Sequence, residues 1–244
     1  MTTVAEPDPR LTVSGLSVTF GGLTALDDVS FDVAAGQVVA LIGPNGAGKT
    51  TVFNAVCGLV RSRGRIAIDG RPAPARTSDL TGRGVARTLQ GLGLFDGATV
   101  RENVAVPVSG SRDHRDAATR VAAQLAAHDL TTVADRPVAA LPYPLRKRVA
   151  LARALVTEPR LLLLDEPAGG LGHDDIDALG HTVRAVADAG CAVLLVEHHV
   201  DFVMSVADQV VVLDFGRVIA RGAPDDVRND PAVEEAYLGI KATA

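Results

Sequence analysis

The stretch Gly43-Pro44-Asn45-Gly46-Ala47-Gly48-Lys49-Thr50 restricts this chain more than any other. It reads G-x-x-x-x-G-K-[ST], a pattern whose glycines let backbone N–H groups turn toward phosphate oxygens. The pattern carries weight only between a strand and a helix, and the sequence supplies both. Val38-Val39-Ala40-Leu41-Ile42 suits a buried strand, and Thr51-Val52-Phe53-Asn54-Ala55-Val56-Cys57 continues as a helix ending at Gly58. That helix would point its positive end at the bound anion. Lys49 is then placed to reach the β- and γ-phosphates of a nucleotide, and Thr50 to offer its hydroxyl to Mg²⁺. Gly43 to Thr51 are therefore the expected nucleotide-binding residues.

The second half of the chain alternates strands and helices. Leu161-Leu162-Leu163-Leu164 reads as a buried strand that ends in Asp165-Glu166. Ile176, Leu179, Val183 and Val186 make one apolar stripe of a helix. Cys191 to Val196 is the next strand, Asp201 to Ala207 the next helix, and Val210 to Leu213 and Val218 to Ala220 the last strands, with Phe215-Gly216 as a hairpin turn. Such alternation behind a phosphate loop predicts a mostly parallel sheet wrapped by helices, with ligands at the carboxyl ends of its strands. Two adjacent acids at such an end suit metal-assisted phosphoryl chemistry: Asp165 to orient Mg²⁺, Glu166 to polarise an attacking water.

The first third reads differently. Residues 1 to 9 form a polar tail. Leu11 to Phe20 and Leu26 to Val33 alternate around Gly21-Gly22, and Arg65 to Gly70 adds a short strand, which predicts a mostly antiparallel sheet. Residues 71 to 78 read as a Pro- and Ala-rich loop. Helices are expected at Asp116 to Ala127 and Leu145 to Val156, the latter with Pro144 near its first turn. No internal repeat is visible.

Composition narrows the function classes. With 244 residues at 47% hydrophobic the chain can bury a large core, and with aromatics at 3% that core must be mostly Val, Leu, Ala and Ile. A net charge of −5 without a basic face argues against nucleic acid as a partner. Arg146-Lys147-Arg148, the densest basic cluster, reads as a solvated helix face. Cys57 and Cys191 lie far apart in apolar segments and read as small core residues. No apolar run approaches the roughly 18 residues of a membrane span, so action at a membrane would need a partner that provides one.

The phosphate loop, Leu163-Leu164-Asp165-Glu166-Pro167, Gln90 between them and His198 after the next strand together resemble the ATP-binding-cassette ATPases. The resemblance runs from about Leu11 to Gly239. It is closest to the ATP-binding subunits of branched-chain amino-acid importers. The narrower likeness rests on Ala86 to Gln90 with Leu94-Phe95-Asp96, on Val196-Glu197-His198, and on Val210 to Gly222 with Ala236-Tyr237-Leu238-Gly239. It implies an α/β fold: a P-loop NTPase core of RecA-like type, an antiparallel β subdomain and a small α-helical subdomain. The implied boundaries are one domain over 10–239, with the core in 10–90 and 156–225, the helical subdomain in 91–155, and a C-terminal tail in 226–244. It also implies roles: Phe20 stacking on adenine, Gln90 sensing Mg²⁺ and the attacking water, and His198 contacting the γ-phosphate. Further implications are ATP hydrolysis that drives solute import, docking on membrane permease subunits near Gln90 and residues 91 to 110, and a place at the cytoplasmic face of the cell membrane.

Two stretches depart from the family pattern. Where the family's signature reads L-S-G-G-Q, this chain has Leu141-Pro142-Tyr143-Pro144-Leu145; Pro142 and Pro144 bring no N–H donor. Gly172 stands where the family usually has Asp or Asn. The chain's own half-site is complete, while what it lends to an opposite site is depleted. That asymmetry predicts a second, different ATPase subunit with an intact signature. Another cargo, such as urea, an amide or an exported lipid, and a regulatory subunit with weak hydrolysis, remain open alternatives at this point.

Overall fold

The computed structural model describes residues 9–110 and 114–238. The expected polar tail lies outside these residues up to position 8, and Pro9 opens the first strand. The strands are β1 (Pro9–Phe20), β2 (Leu23–Ala34), β3 (Val38–Ile42), β4 (Arg63–Ile68), β5 (Arg71–Pro72), β6 (Val85–Arg87), β7 (Leu161–Asp165), β8 (Ala192–Val196), β9 (Gln209–Asp214) and β10 (Arg217–Gly222). The helices are α1 (Lys49–Val56), α2 (Val100–Ala105), α3 (His114–Ala127), α4 (Tyr143–Leu155), α5 (His173–Asp188), α6 (Val200–Val206), α7 (Pro224–Arg228) and α8 (Pro231–Leu238).

Two sheets form. One is antiparallel in the order β2-β1-β4-β5. The other has the order β10-β9-β3-β8-β7-β6, parallel except for β10, which returns from β9 through the Phe215-Gly216 turn. Both turn residues have positive φ (42° and 79°), as a tight hairpin turn with right-handed twist requires.

The runs without polar residues are explained by burial on both faces. Along β3, Val39 and Leu41 face a core that includes Leu161, Leu163, Leu194 and the antiparallel sheet. Val38, Ala40 and Ile42 face the opposite core, with Leu162, Leu164, Val193 and helices α4, α5 and α6. The side-chain period of two therefore feeds two cores rather than one core and solvent. Leu161 to Leu164 are at most 1% exposed, and each such leucine stabilises the fold by about 1.5–3 kcal/mol.

A third core joins α2, α3 and α4 through Val104, Val121, Leu125 and Val149. Helix α4 serves two cores: Val149, Ala152 and Val156 face the helical unit, while Leu151, Ala154 and Leu155 face the parallel sheet. Several elements differ from the sequence expectation. Residues 85–87 form the edge strand β6. The expected loop 71–78 holds β5 and a 3-10 turn at Thr77–Asp79. Helix α2 is closed by a capping box between Thr99 and Glu102. Residues 224 to 238, most of the expected tail, form α7 and α8, which bury Val227 and Val233 against the core. No helix among the described residues is long and apolar enough to cross a membrane.

Candidate nucleotide-binding site

Parallel register brings five strand ends to one edge. Leu41 and Asp165 both align with Val196, Ile42 with Val212, and Arg87 with Leu163. The loops that begin at Gly43, Thr88, Glu166, Glu197 and Phe215 therefore emerge side by side.

The Gly43 to Thr50 loop wraps the N-terminus of α1. Gly48 has φ 107°, and a Cβ there would sit 2.6 Å from Leu26 Cδ2 and 2.9 Å from the Ala25 carbonyl. Only glycine meets both demands. Helix α1 begins at Lys49 with no side-chain cap, so its first N–H groups remain for a ligand. Lys49 Nζ donates to the carbonyls of Gly43 (2.7 Å) and Pro44 (2.9 Å). Burial pushes the Lys49 ammonium below its usual value, and the Glu166 carboxylate opposes that shift. Above the loop lies a cleft of about 350 Å³, lined by Leu23, Thr24, Ala25, the stretch Asn45 to Thr51, Glu166 and Phe215.

Phe20 ends β1 half exposed and stands outside that lining. Phe215, which the sequence suggested only as a turn residue, lies within it and is 89% exposed. The turn it belongs to packs on the segment that follows Leu23 to Ala25, with Asp27 N–H donating to the Gly216 carbonyl at 2.8 Å.

The two carboxylates have different surroundings. Asp165 is buried, and its Oδ2 accepts from Arg87 at 3.0 Å. Arg87 also donates to Asn54 on α1 (3.2 Å) and lies over the Phe53 ring at 5.5 Å. Its guanidinium thus ties the helix behind the phosphate loop to the acid-bearing strand. Glu166 has φ 47°, a conformation that costs a non-glycine residue on the order of 1–3 kcal/mol. Its N–H donates to the Val196 carbonyl (2.9 Å), and its carbonyl accepts from Lys147 (2.9 Å). Its Oε2 accepts from Gln90 Nε2 at 2.8 Å and lies 4.0 Å from His198 Nδ1.

Gln90, Glu166 and His198, far apart in sequence, thus meet beside the cleft. His199 stacks on His198 with ring centroids 4.8 Å apart. Glu197, His198 and His199 cluster within 4.8 Å. The Glu197 carboxylate, however, is fully buried and already accepts three backbone N–H groups, from Ala168, His198 and His199.

The signature-like loop leads into α4. Pro142 is the N-cap and makes no side-chain cap bond, and Pro144 occupies the first turn. The Arg146-Lys147-Arg148 cluster is not a solvated face. All three are partly buried and engaged: Arg146 with Asp96, Lys147 with the Glu166 and Pro167 carbonyls, and Arg148 with Asp175. Burial lowers the Lys147 ammonium from its ordinary value, against the pull of Glu197 and Glu166. Arg87, Lys147, Glu197 and Phe215 carry geometry that sequence reasoning assigned to no site.

Strand β8 intervenes between the loop-bearing β3 and the acid-bearing β7. A sheet ordered this way, with the phosphate loop and Glu166 opening into one cleft and the buried Asp165 just before it, defines a P-loop nucleoside triphosphatase with a RecA-like core. A family model described as "ABC transporter" matches residues 26–169, and one described as "Branched-chain amino acid ATP-binding cassette transporter" matches residues 217–242. The high-affinity branched-chain amino acid transport ATP-binding protein BraF of Pseudomonas aeruginosa is 39% identical, over 95% of this chain and 98% of that protein. LivG of Escherichia coli, of the same description, is 35% identical over 95% and 98%. A crystal structure of a nucleotide-free ATP-binding cassette from an ABC transporter superposes with a TM-score of 0.85 at 26% identity, over 95% of this chain and all of that one. The chain belongs to the ABC transporter family and is one of its ATP-binding, ATP-hydrolysing subunits.

Proposed function

We propose that this subunit hydrolyses ATP to power the import of branched-chain amino acids through membrane permease subunits at the cytoplasmic face of the membrane. The observation that carries the cargo is the match of residues 217–242 to the branched-chain cassette model. The permease docks near the Gln90 loop and residues 91 to 110.

ATP lies with its phosphates on Gly43 to Thr51, where Lys49 exchanges the carbonyls of Gly43 and Pro44 for phosphate oxygens. Phe20 stacks on the adenine from the end of β1. Thr50, Asp165 and Gln90 offer oxygen donors, which suit Mg²⁺. Asp165 Oδ2 is bonded by Arg87, while its Oδ1 has no partner among the described residues. Mg²⁺, when bound, would neutralise charge on the phosphoryl group. Glu166 takes the proton of the attacking water, held by Gln90 on one side and facing His198 on the other. His198 contacts the γ-phosphate. Two subunits enclose two nucleotides, and Pro142 and Pro144 make a different subunit with an intact signature the fitting partner. Closure is driven by the higher ATP affinity of the closed state.

The test is reconstitution with permease, partner ATPase and binding protein in vesicles, reading ATP-dependent uptake of labelled leucine. Uptake of leucine supports the proposal. Uptake of urea or an amide in its place, with ATP consumed, rejects the cargo.

A further inference from the structure

Lys147 Nζ donates to the Glu166 carbonyl (2.9 Å) and the Pro167 carbonyl (2.6 Å). The next N–H along, that of Ala168, donates to Glu197 Oε1 at 2.7 Å. Glu197 Oε2 then accepts the N–H groups of His198 (2.9 Å) and His199 (3.2 Å). A continuous hydrogen-bonded path therefore runs from the first turns of α4, through the loop after β7, to the loop after β8. Glu166 sits at one end of it, and His198 at the other.

A fully buried carboxyl group is costly unless its oxygens are hydrogen-bonded. Three backbone N–H groups meet that need. The arrangement also has a directional consequence. Glu166 is held at φ 47° by a donor to its carbonyl, and His198 leaves its strand at an angle set by its own N–H bond to Glu197. Neither side chain is fixed by neighbours in its own loop alone.

We propose that Glu197 and Lys147 are positioning residues that act as one clamp, setting where Glu166 and His198 point and tying both to the helix that follows the signature loop. Lys147 lies only three residues beyond Pro144, so movement of the α4 N-terminus against an opposite subunit is transmitted directly to the loop carrying Glu166. Neither Lys147 nor Glu197 lines the cleft over the phosphate loop, and the clamp meets that lining only at the Glu166 backbone carbonyl. It should therefore leave nucleotide affinity alone while governing turnover.

The inference rests on the hydrolytic reading above, and its test separates the two. Glu197→Gln keeps one acceptor oxygen and turns an amide N–H toward the remaining donors, so it breaks either the Ala168 bond or the His198 and His199 bonds, and with either the path between the two loops, with little change in shape. Lys147→Met keeps the aliphatic stem and removes both donors. ATP affinity by calorimetry, kcat and KM are measured for the full-length parent, each variant and the pair, each assembled with its partner ATPase. The expected result is a 10- to 100-fold loss of kcat in each variant, with ATP affinity within about twofold of the parent. The double variant should be no worse than the poorer single one, because both act along one path. Parental kcat in Glu197→Gln, additive losses in the pair, or loss of ATP affinity in step with kcat would each overturn the clamp. If Glu197→Gln does not fold, Lys147→Met decides alone on its split between kcat and affinity. A parent that binds ATP but never hydrolyses it, even with its partner, would overturn the hydrolytic reading and the clamp together, whereas a hydrolysing parent matched by its variants overturns the clamp only.

Discussion

Gln90 Nε2 donates to Glu166 Oε2 at 2.8 Å across 76 residues of sequence. The bond spans the edge of the parallel sheet, from the loop after β6 to the end of β7. It joins the segment read as facing a membrane partner to the carboxylate read as the base. A shift of the Gln90 loop must therefore either carry Glu166 with it or release it. If a permease docks at the Gln90 loop as proposed, that docking would be coupled to Glu166 through this one hydrogen bond.

Replacing Glu166 by Gln keeps that shape and removes the proton acceptor. Turnover should fall by about 10²–10⁴-fold, the range a general base contributes, while ATP stays bound and holds the paired subunits closed. Gln90→Ala should cost far less, on the order of tenfold, because it leaves the base in place and removes one partner of Glu166 and one of three oxygens offered to Mg²⁺. Steady-state phosphate release, with size-exclusion chromatography in ATP to report closure, checks both. A Glu166→Gln variant at parental rate would remove the base assignment.

Lys49 is half committed before nucleotide arrives, since its ammonium bonds the Gly43 and Pro44 carbonyls. Phosphate replaces those partners with charged ones, and bonds to charged groups are worth about 1.5–3 kcal/mol each. Lys49→Met should therefore weaken ATP by about 100-fold in calorimetry. Apo stability should also fall, by about 1–3 kcal/mol, because the buried Gly43 carbonyl loses its Lys49 donor. Unchanged affinity would mean that phosphates do not sit on this loop.

Much of this arrangement is legible before any coordinates, and particular residues explain what is not. Leu161 to Leu164 and Val38 to Ile42 announce strands buried on both faces, because only a double core tolerates consecutive apolar residues there. Phe215-Gly216 announces its hairpin through turn chemistry. By contrast, β6 spans only Val85–Arg87, too few residues to show a period. The Thr99 and Glu102 capping box was a readable local signal for α2, as were Pro224 and Pro231 for the two short C-terminal helices. The Arg87 pairing with Asp165 had no such signal. It depends on β6 lying beside β7, and strand order is a tertiary fact. Lys147 misled for a similar reason: a basic triplet on an amphipathic helix looks solvated until the loop that accepts its bonds is packed against it.

His128 gives the fold a pH dependence separate from catalysis. It is buried at the end of α3, and desolvation, with Arg148 adding and Asp129 opposing, pulls its imidazole from 6.5 to about 4. The unfolded chain therefore binds a proton between about pH 6.5 and 4 that the folded chain refuses, so stability falls as pH drops through that window. The contribution reaches about 3 kcal/mol at the acid end. Urea unfolding at pH 7 and 4.5 should show a loss in the parent that His128→Gln lacks, once the carboxylate background common to both is subtracted. Parallel curves for the two proteins would show that His128 does not titrate with folding.

The two prolines at the head of α4 make the sharpest test of asymmetry. Pro142 is the N-cap without a cap bond, and Pro144 sits in the first turn, so two backbone donors that a helix N-terminus would offer an anion are missing. Pro142→Ser supplies a hydroxyl and an N–H, and as an N-cap it also stabilises the helix by about 1 kcal/mol. Pro144→Gly supplies the second N–H at a modest entropic cost in the first turn. Neither position lines the chain's own cleft, so ATP affinity of the isolated subunit should not change. What should change is hydrolysis when the chain pairs with itself: the double variant is expected to exceed the parent by at least about tenfold, rising with the square of protein concentration below the pairing constant. Equal turnover in parent and variant, with pairing confirmed, would mean that the remaining N–H groups and the helix dipole already suffice and that no different partner is needed.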